Sequence, residues 1–350
     1  MKNRTKIVII LLLALSLTAC GKKKTASLEE RIEAGEDIYA GFSFEEGMNP
    51  FFLAQLEYLR SAFEEFGVKL DYAASGGDDL VMTEQIDAFA EAGMELIICA
   101  PPHEEAVARA LTEAAEGGIP VVIMGSRPEY YEDLAGGIYL DWYEAGREMA
   151  AMASAWVSEN YPNAQLGSIH AANLVSDTQN VFMAQNAGLV QGISQDPRIS
   201  ITYNRNDAHI TGSGAEAAES ALIYDPHIRL FFCYQDPTAL EVSRVVVSKD
   251  SELDPSQFAA FSVGLQTSGR TSIENSKINE SIFRGAITYG VFSESKQKSA
   301  SESLYIVARD IMLGKAPSES WWVELDRWAV TGFGYNYLYD SPANDELLKR

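Results

Sequence analysis

The sequence predicts an α/β protein of two similar lobes, each built on a parallel sheet. From Asp37 onward, short apolar runs alternate with longer amphipathic ones, and the pattern starts again after Asp141. Strands that alternate with helices of this length need crossover connections, which give parallel sheets covered on both faces. Because ligands of such sheets bind beyond the carboxyl ends of the strands, the first residues after each strand are the candidate site.

The first half of the body contains a clear amphipathic helix over residues 49–67. There Phe52, Leu56, Leu59 and Phe63 recur at spacings of three and four residues, which gives one apolar face. A second helix over 78–93 is expected to end at Gly93. The other elements expected here are strands over 37–44, 68–75, 95–102, 119–125 and 136–141, and helices over 103–118 and 142–161.

The second half repeats the alternation and ends in an aromatic tail. We expect the tail, residues 321–340, to cross between the lobes and to finish as strand and loop. Cys99 and Cys233 lie in apolar runs and are expected to be small buried hydrophobic residues. The other elements are strands over 165–171, 199–204, 228–234, 258–264 and 281–290, and helices over 178–194, 211–224, 237–249 and 293–314.

Composition excludes several classes of protein. The 350 residues are 47% hydrophobic and 22% charged, as in an ordinary globular chain. The 27 basic residues face 50 acidic ones, for a net charge of −23. Such a surface repels phosphate backbones and anionic headgroups, which argues against nucleic-acid binding and against peripheral membrane binding. Three cysteines cannot form a disulfide framework.

Residues 1–20 have the layout of a secretory signal peptide. A basic start precedes an apolar run from Ile7 to Leu17 that is too short to span a bilayer. The residues from Leu17 to Cys20 resemble a bacterial lipobox, in which Cys20 becomes the lipid-bearing first residue of the mature chain. The alternative is an uncleaved anchor with a chance cysteine. We expect a signal peptide over 1–20, a tether over 21–36 and a body that a lipid anchor holds outside the cytoplasmic membrane, at the cell surface or in the periplasm.

Motifs that carry catalysis are missing from the sequence. It contains no GxxxxGK[ST], HExxH or GxSxG motif, and no two of its four histidines have helical metal-ligand spacing. The Gly212-Ser213-Gly214 segment lacks a third glycine, so it reads as a helix start rather than a phosphate loop. Acidic residues are plentiful, yet nothing singles out a catalytic pair. We expect a protein without enzyme activity, cofactor or metal.

The segment 48–52 follows the first strand, and 118–122 precedes the fourth. Asp141 to Gly146 is similar to a D-N-x-x-x-G crossover, and Tyr234 to Leu240 to an N-D-x-x-A-L turn. Taken in order, these segments resemble the periplasmic sugar-binding proteins of bacterial importers, of the ribose- and galactose-binding type. The resemblance covers about residues 37–315 and implies the type I periplasmic binding protein fold, two Rossmann-like lobes joined by three crossover strands. On that fold, lobe 1 comprises 37–140 and about 290–325, and lobe 2 comprises 141–289 and about 326–350.

The resemblance also implies a sugar site in the cleft between the lobes. A sugar has apolar C–H faces and a rim of hydroxyls, so it needs aromatic platforms and planar hydrogen-bonding side chains. Phe52 could instead belong to the core, Asp236 could cap the next helix, and His209 could be a surface residue. The candidate ligand-binding residues are Asn49, Phe51, Phe52, Ser126, Arg127, His209, Gln235, Asp236, Gln266 and Tyr289, with Asp177 and Gln185 as weaker candidates.

Four of these positions depart from the family pattern. Ser126 lies where an aspartate usually precedes the arginine, and Gln235 lies where the N-D turn has an asparagine. Gln266 lies where the family has an aspartate, and Tyr289 lies where an amide side chain is common. The exchange casts doubt on ribose or galactose in particular and leaves open another sugar, a cyclic polyol or a furanose-derived signal. Trp142, Trp321 and Trp322 could be further platforms, although packing explains them equally well.

These features lead us to expect a solute-binding lipoprotein, monomeric and without cofactor, that captures a small polyhydroxy ligand and delivers it to the permease of an ABC importer. One alternative has the same fold but signals to a membrane sensor kinase or chemoreceptor. A second alternative is an extracytoplasmic hydrolase on an α/β frame.

Overall fold

The structure, a computed structural model, describes residues 26–45, 50–125, 131, 134–175, 180–208, 212–292, 297–339, 341 and 344–350, apart from the side chains of residues 50, 51 and 345. The chain divides into two compact units, residues 1–37 and residues 38–350. The candidate signal peptide, with Cys20, lies outside the described residues.

In the first unit, the polar segment that we expected to be a tether contains one short helix, α1 (Leu28–Glu33). Ser27 starts it with a capping box, in which its hydroxyl accepts from the Glu30 N–H and the Glu30 carboxylate accepts from the Ser27 N–H. Such a box satisfies two of the N–H groups that every helix start leaves without an intrahelical partner. The Ser-x-x-Glu spacing is visible in the sequence and could have predicted this helix.

The first half of the second unit forms a parallel sheet with helices between its strands. In chain order the elements are β1 (Ile38–Phe44), α2 (Pro50–Phe66), β2 (Val68–Ala74), α3 (Asp79–Glu91), β3 (Leu96–Ala100), α4 (Glu104–Glu116), β4 (Val121–Gly125) and β5 (Gly136–Tyr139). A strand from late in the chain, β12 (Trp321–Glu324), joins them at one edge. The strand order is β12-β5-β4-β3-β1-β2, and every pairing is parallel.

The second half forms another sheet, in the order β14-β13-β10-β9-β8-β6-β7. The pairings from β10 to β7 are parallel, whereas β13 pairs antiparallel with β10 and with β14. The elements are α5 (Trp142–Asn160), β6 (Ile169–Leu174), α6 (Asn180–Ile193), β7 (Ile199–Asn204), α7 (Ser213–Tyr224), β8 (Ile228–Cys233), α8 (Asp236–Val247), β9 (Ala259–Val263), α9 (Thr267–Ser276) and β10 (Phe283–Phe292). The remaining elements are β11 (Gln297–Ser299), α10 (Ala300–Met312), β12 (Trp321–Glu324), β13 (Asp326–Thr331), β14 (Leu338–Tyr339) and α11 (Asp345–Leu348).

The two-lobed α/β architecture predicted from the sequence is confirmed. The chain leaves the first sheet after β5, returns through α10 to β12, and leaves again at Leu325, which directly joins β12 to β13. The tail crosses between the sheets as expected. Each sheet has a buried apolar core against its helices, with Ile97, Cys99 and Ile123 in the first and Phe231, Cys233 and Phe283 in the second.

The last crossover is tied to its surroundings by a buried carboxylate. Asp326 Oδ2 accepts from the backbone N–H of Phe292 at 2.7 Å, and Oδ1 accepts from the backbone N–H of Ser341 at 2.7 Å and the Asn344 side chain at 2.6 Å. Asp326 thereby joins the end of β10, the start of β13 and the C-terminal segment. Because the carboxylate is fully buried, these donors stabilise its charge where water does not reach it.

Three elements differ from the sequence-based expectation. The last long helix was predicted from residue 293, but α10 begins at Ala300, where Ser299 accepts from the Glu302 N–H as its N-cap. The residues just before it form the short strand β11, which pairs with β10. Helix α9 was not predicted at all, because Thr267–Ser276 is mostly polar and has little apolar periodicity.

Candidate functional site

A cleft lies where the carboxyl ends of the strands of both sheets meet. From the first sheet it is lined by Ala100 at the end of β3, Gly125 at the end of β4 and Tyr139 at the end of β5. From the second sheet it is lined by Gln235, which follows β8, and by Tyr289 of β10. The space amounts to about 700 Å³ with its open mouth included. It occupies the place where parallel α/β sheets bind their ligands.

Aromatic side chains form much of the cleft wall. The Trp142 ring makes edge contacts with Phe182 and Tyr289, with ring centroids 6.0 and 6.1 Å apart. Phe182 in turn contacts Tyr234, at 5.3 Å. On the first-sheet side, Phe52 lines the cleft and packs against buried Phe44, with centroids 5.7 Å apart. The edge-to-face geometry fixes the ring orientations, and such rings can stack against an apolar ligand face.

Hydrogen-bonding groups gather in an adjoining space of about 600 Å³ that shares Gln235, Tyr289 and Ala300 with the first. Gln55, Asp236, Gln266 and Thr288 line it. The Asp236 carboxylate accepts from the backbone N–H of Gln266 at 2.7 Å, which joins the turn after β8 to the start of α9. Amides, hydroxyls and a carboxylate at one place can satisfy the hydroxyls of a small polar ligand.

Burial shifts the ionisation of two groups in this space. It raises the pKa of the Asp236 carboxyl to about 6, although the Gln266 N–H acts in the opposite direction. It also raises the pKa of the Tyr289 phenol, to which the negative charge of Asp236 adds. Tyr289 is therefore a neutral hydroxyl at physiological pH, and Asp236 gains a proton in mildly acidic solution.

Two buried polar atoms at the cleft lack a hydrogen-bond partner among the residues that the structure describes. They are the indole Nε1 of Trp142, a donor, and the amide Oε1 of Gln55, an acceptor. An unpaired buried polar group costs free energy that a bound ligand can recover by supplying the missing partner. Trp142 and Gln55 therefore each hold a polar group that a bound ligand could satisfy.

The predicted site residues divide into two groups. The structure brings Phe52, Gln235, Asp236, Gln266 and Tyr289 to the cleft. The Asp236 carboxylate accepts from the Gln266 N–H in another loop, so it does not act as the cap of α8 that we considered. Gln235 occupies the N-cap position of α8 without a side-chain cap bond. The other candidates, Asn49, Ser126, Arg127, Asp177, His209 and the side chain of Phe51, lie outside the described residues.

Gln185, a weaker candidate, is fully buried, and its amide donates to the Tyr234 carbonyl at 3.3 Å. Trp322 donates to the Ser320 hydroxyl, and Arg350 lies over the Trp321 ring. Neither tryptophan lines the cleft.

Sequence reasoning missed several lining residues. Glu45 directly follows β1, so the rule that strand ends line the site could have found it. Trp142, which was considered only as a possible further platform, begins the helix after β5 and lines the cleft. Phe182 was missed because the two weak candidates in its stretch were chosen for their polarity. The rule that strand ends line the site could not have found Gln55, because it lies within a helix and reaches the cleft only through tertiary packing.

Cys99 and Cys233 are buried free thiols, as predicted, and burial raises the pKa of each. In the part of the chain that the structure describes, no group of three or more His, Cys, Asp or Glu residues could hold a metal ion. Within the same part, no helix has the length and apolar character to cross a membrane.

Comparison with known structures shows the same fold. A Mycobacterium smegmatis protein in complex with β-D-fucofuranose has a TM-score of 0.68 and 19% identity, over 84% of this chain and 91% of that one. An ABC transporter solute-binding protein from Mycobacterium smegmatis, with bound glycerol, has a TM-score of 0.69 and 16% identity, over 87% and 100%. The fructose-binding periplasmic domain of a hybrid two-component system has a TM-score of 0.67 and 17% identity, over 84% and 90%.

At the level of sequence, no curated protein matches the chain. Residues 40–290, in contrast, match a family described as a periplasmic binding protein domain. The match spans most of both sheets and the strand ends that line the cleft. The chain therefore belongs to the periplasmic binding protein family.

Proposed function

We propose that this protein is an extracytoplasmic solute-binding lipoprotein that captures a sugar or sugar-like polyol in the cleft and delivers it to an ABC importer. One observation carries the proposal. Aromatic rings and hydrogen-bonding side chains from both sheets line one cleft, Phe52 and Trp142 among the rings and Gln235 and Gln266 among the amides. Rings suit the C–H faces of a sugar, and amides suit its hydroxyls.

Binding rather than reaction is the proposed mechanism. A ligand that contacts both lobes stabilises the arrangement in which they close around it, and the importer then recognises that closed form. The chain passes between the sheets at 140–141 and at Leu325, so backbone rotation at these points can change the width of the cleft. Arg127, Asn49 and His209 are proposed contacts on the strength of the resemblance alone.

The lipid anchor is a separate part of the proposal and rests on the residues from Leu17 to Cys20. We expect cells that express the chain to incorporate labelled palmitate into it, and Cys20→Ser to abolish the label. Labelling that survives this substitution would contradict the anchor and leave the binding proposal untouched.

Thermal unfolding of the purified protein against pentoses, hexoses and polyols tests the binding proposal. A ligand at a hundred times its dissociation constant stabilises the folded state by about 2.7 kcal/mol, which moves the melting temperature by several degrees. We expect at least one sugar or polyol to do so and to be recovered chemically unchanged. The absence of any shift would contradict sugar capture, and turnover of the compound would favour the hydrolase alternative.

A sensor that uses the same fold is the second candidate, because one structural relative is the periplasmic domain of a two-component system. Import and sensing differ in the partner of the closed form. We expect ligand-loaded protein to bind membranes that contain the importer permease, and to raise its ATPase activity. Ligand-dependent activation of a histidine kinase, without stimulation of any ATPase, would favour the sensor.

A further inference from the structure

The cleft has two compartments of different chemistry. We define the apolar compartment by Met124, Ile138, Leu140, Trp142, Phe182 and Leu325, and the polar compartment by Gln55, Asp236, Gln266, Thr288, Ser299 and Ser301. They meet at Gln235, Tyr289 and Ala300, which line both. A single ligand can therefore extend from one compartment into the other.

The part of the apolar compartment around Ile138, Leu140 and Leu325 is a poor place for the free hydroxyls of a sugar, whereas the Phe52 and Trp142 rings can still face a C–H side of it. Ile138, Leu140 and Leu325 are almost completely buried, and their side chains offer no hydrogen bond. A hydroxyl transferred from water to such surroundings loses its hydrogen bonds without replacement. Among the described lining residues, Glu45, Tyr139, Gln235 and Tyr289 carry polar groups, and most of the remaining lining is hydrocarbon and aromatic. An apolar group gains free energy there by leaving water.

The polar compartment has the opposite preference. Its lining holds amide, hydroxyl and carboxyl groups, and the buried Gln55 Oε1 has no donor among the described residues. Gln55 is 5% exposed, so bulk water does not readily supply that donor. A sugar hydroxyl is a donor of suitable size, and it can satisfy Gln55 while its neighbours bind Gln266 or Thr288.

The indole Nε1 of Trp142 adds a directional requirement. It is a buried donor on the apolar compartment without a partner in the described part of the chain. An indole N–H can only donate, so an acceptor atom within a mainly apolar portion of the ligand could satisfy it. An ether or thioether substituent on a sugar carries such an atom beside hydrocarbon.

We propose that the ligand is an amphipathic sugar, one whose hydroxyl-bearing ring occupies the polar compartment and whose alkyl, thioalkyl or aryl substituent occupies the apolar compartment. This inference rests on the proposed function and narrows it. A free sugar fills only one compartment and leaves the Trp142 N–H without an acceptor. The substituted sugar satisfies both orphaned atoms and covers the apolar wall.

Titration calorimetry on matched pairs tests the inference. Each sugar of the panel is compared with its own phenyl thioglycoside, so the two differ only at the anomeric carbon, where a phenylthio group replaces the hydroxyl. For the sugar whose pair of compounds binds most tightly, we expect the dissociation constant of the thioglycoside to be at least tenfold lower than that of the free sugar. Equal or weaker binding of the thioglycosides, with free sugars still bound, would overturn the inference and leave the proposed function intact. No binding by either set would overturn both.

Ala100→Leu places extra volume in the apolar compartment, because Ala100 lines it at the end of β3. We expect this variant to lose most of the preference for the thioglycoside, so that the ratio of the two dissociation constants falls towards one. Ala88→Leu, on an exposed position of α3, is the matched control and should keep the ratio. An unchanged ratio in a folded Ala100→Leu protein would place the substituent elsewhere and overturn the inference.

Discussion

Phe52 and Phe182 occupy the same position in the two halves of the molecule. Each is the third residue of a helix, Phe52 of α2 and Phe182 of α6. The strand before each helix lies between two parallel neighbours, β1 between β3 and β2 in the first sheet and β6 between β8 and β7 in the second. Both line the cleft. Their equivalence explains how two similar sheets each present a ring to the same cleft.

Replacement of either ring is expected to weaken ligand binding while the fold persists. Phe182→Leu retains apolar volume but removes the ring face, so we expect about a tenfold rise in the dissociation constant, equivalent to about 1.4 kcal/mol. Phe52→Leu should act similarly. Titration of the best sugar into each variant measures the effect. Phe63→Leu, a buried ring of α2 away from the cleft, should lower stability without changing affinity, and the opposite pattern would contradict the assignment.

A buried ion pair joins the last crossover to the second sheet's first helix. Arg327 Nε lies 3.1 Å from Glu148 Oε1, and Arg327 Nη1 lies 3.2 Å from Glu324 at the end of β12. Burial raises the pKa of Glu148 even though Tyr337 and Arg327 act to lower it. Burying the two charges of this pair costs free energy. Removing one of them costs more, because the other then remains buried without its partner.

Arg327→Met should therefore destabilise the protein strongly, by about 3–5 kcal/mol, because it leaves Glu148 buried without its cation. Urea unfolding at pH 7 measures the change. Arg109→Met is the control, since Arg109 and Glu113 form an exposed pair on α4, and such pairs contribute about 0–1 kcal/mol. Equal effects of the two substitutions would show that the crossover pair does not stabilise the fold.

Asp236 should make stability depend on pH. Its folded pKa of about 6 lies above the unfolded value of 3.8, so the folded state holds a proton that the unfolded state releases between these values. The contribution of Asp236 to the free energy of unfolding should therefore be greatest below pH 4 and should be lost as the pH rises through 6. At pH 7.5 the charged, buried carboxylate destabilises the fold by about 2–3 kcal/mol.

Asp236→Asn removes that cost and keeps an oxygen that can accept from the Gln266 N–H. We expect the variant to be more stable than the original protein at pH 7.5 and about as stable at pH 4, by urea unfolding at both values. A variant that is less stable at pH 7.5 would mean that the charged form is the one the fold prefers.

Helices α5 and α6 pack so closely that a methyl group does not fit between them. A Cβ on Gly188 would lie 1.9 Å from the Tyr143 carbonyl oxygen, which is backbone and cannot turn aside. We expect Gly188→Ala to destabilise the protein by about 2–3 kcal/mol, measured by thermal unfolding. Gly334→Ala, at a position with open surroundings, should be neutral. An unchanged melting temperature for Gly188→Ala would contradict this close packing of α5 and α6.

The sequence predicted the fold well because helical and strand periods are local. The amphipathic stripe of α2 and the apolar run of β3 each specify their element without reference to the rest of the chain. Helix α9 and strand β11 were missed because both are polar and are defined by the neighbours on which they pack or pair. The β13 and β14 pairings depend on the path of the tail, which periodicity does not reveal.

The candidate site was predictable only in part. Gln235 and Tyr289 were identified by their place after or within a strand of the family pattern, and both line the cleft. Gln55 was not considered, and Trp142 was considered only as a possible platform, because the unpaired buried atom of each is visible only in the folded structure. Hydrogen-bond satisfaction is a property of the folded neighbourhood, so no sequence spacing encodes it.

The measurement that most directly tests sugar capture in this cleft is a calorimetric titration of the sugar with the largest thermal shift into the original protein and into Gln235→Ala. Gln235 lines both compartments, so its loss should affect any ligand that spans them. We predict one sugar bound per chain, and a dissociation constant at least tenfold higher for the variant. A variant that folds and binds the sugar with unchanged affinity would contradict the account, because the ligand would then lie elsewhere.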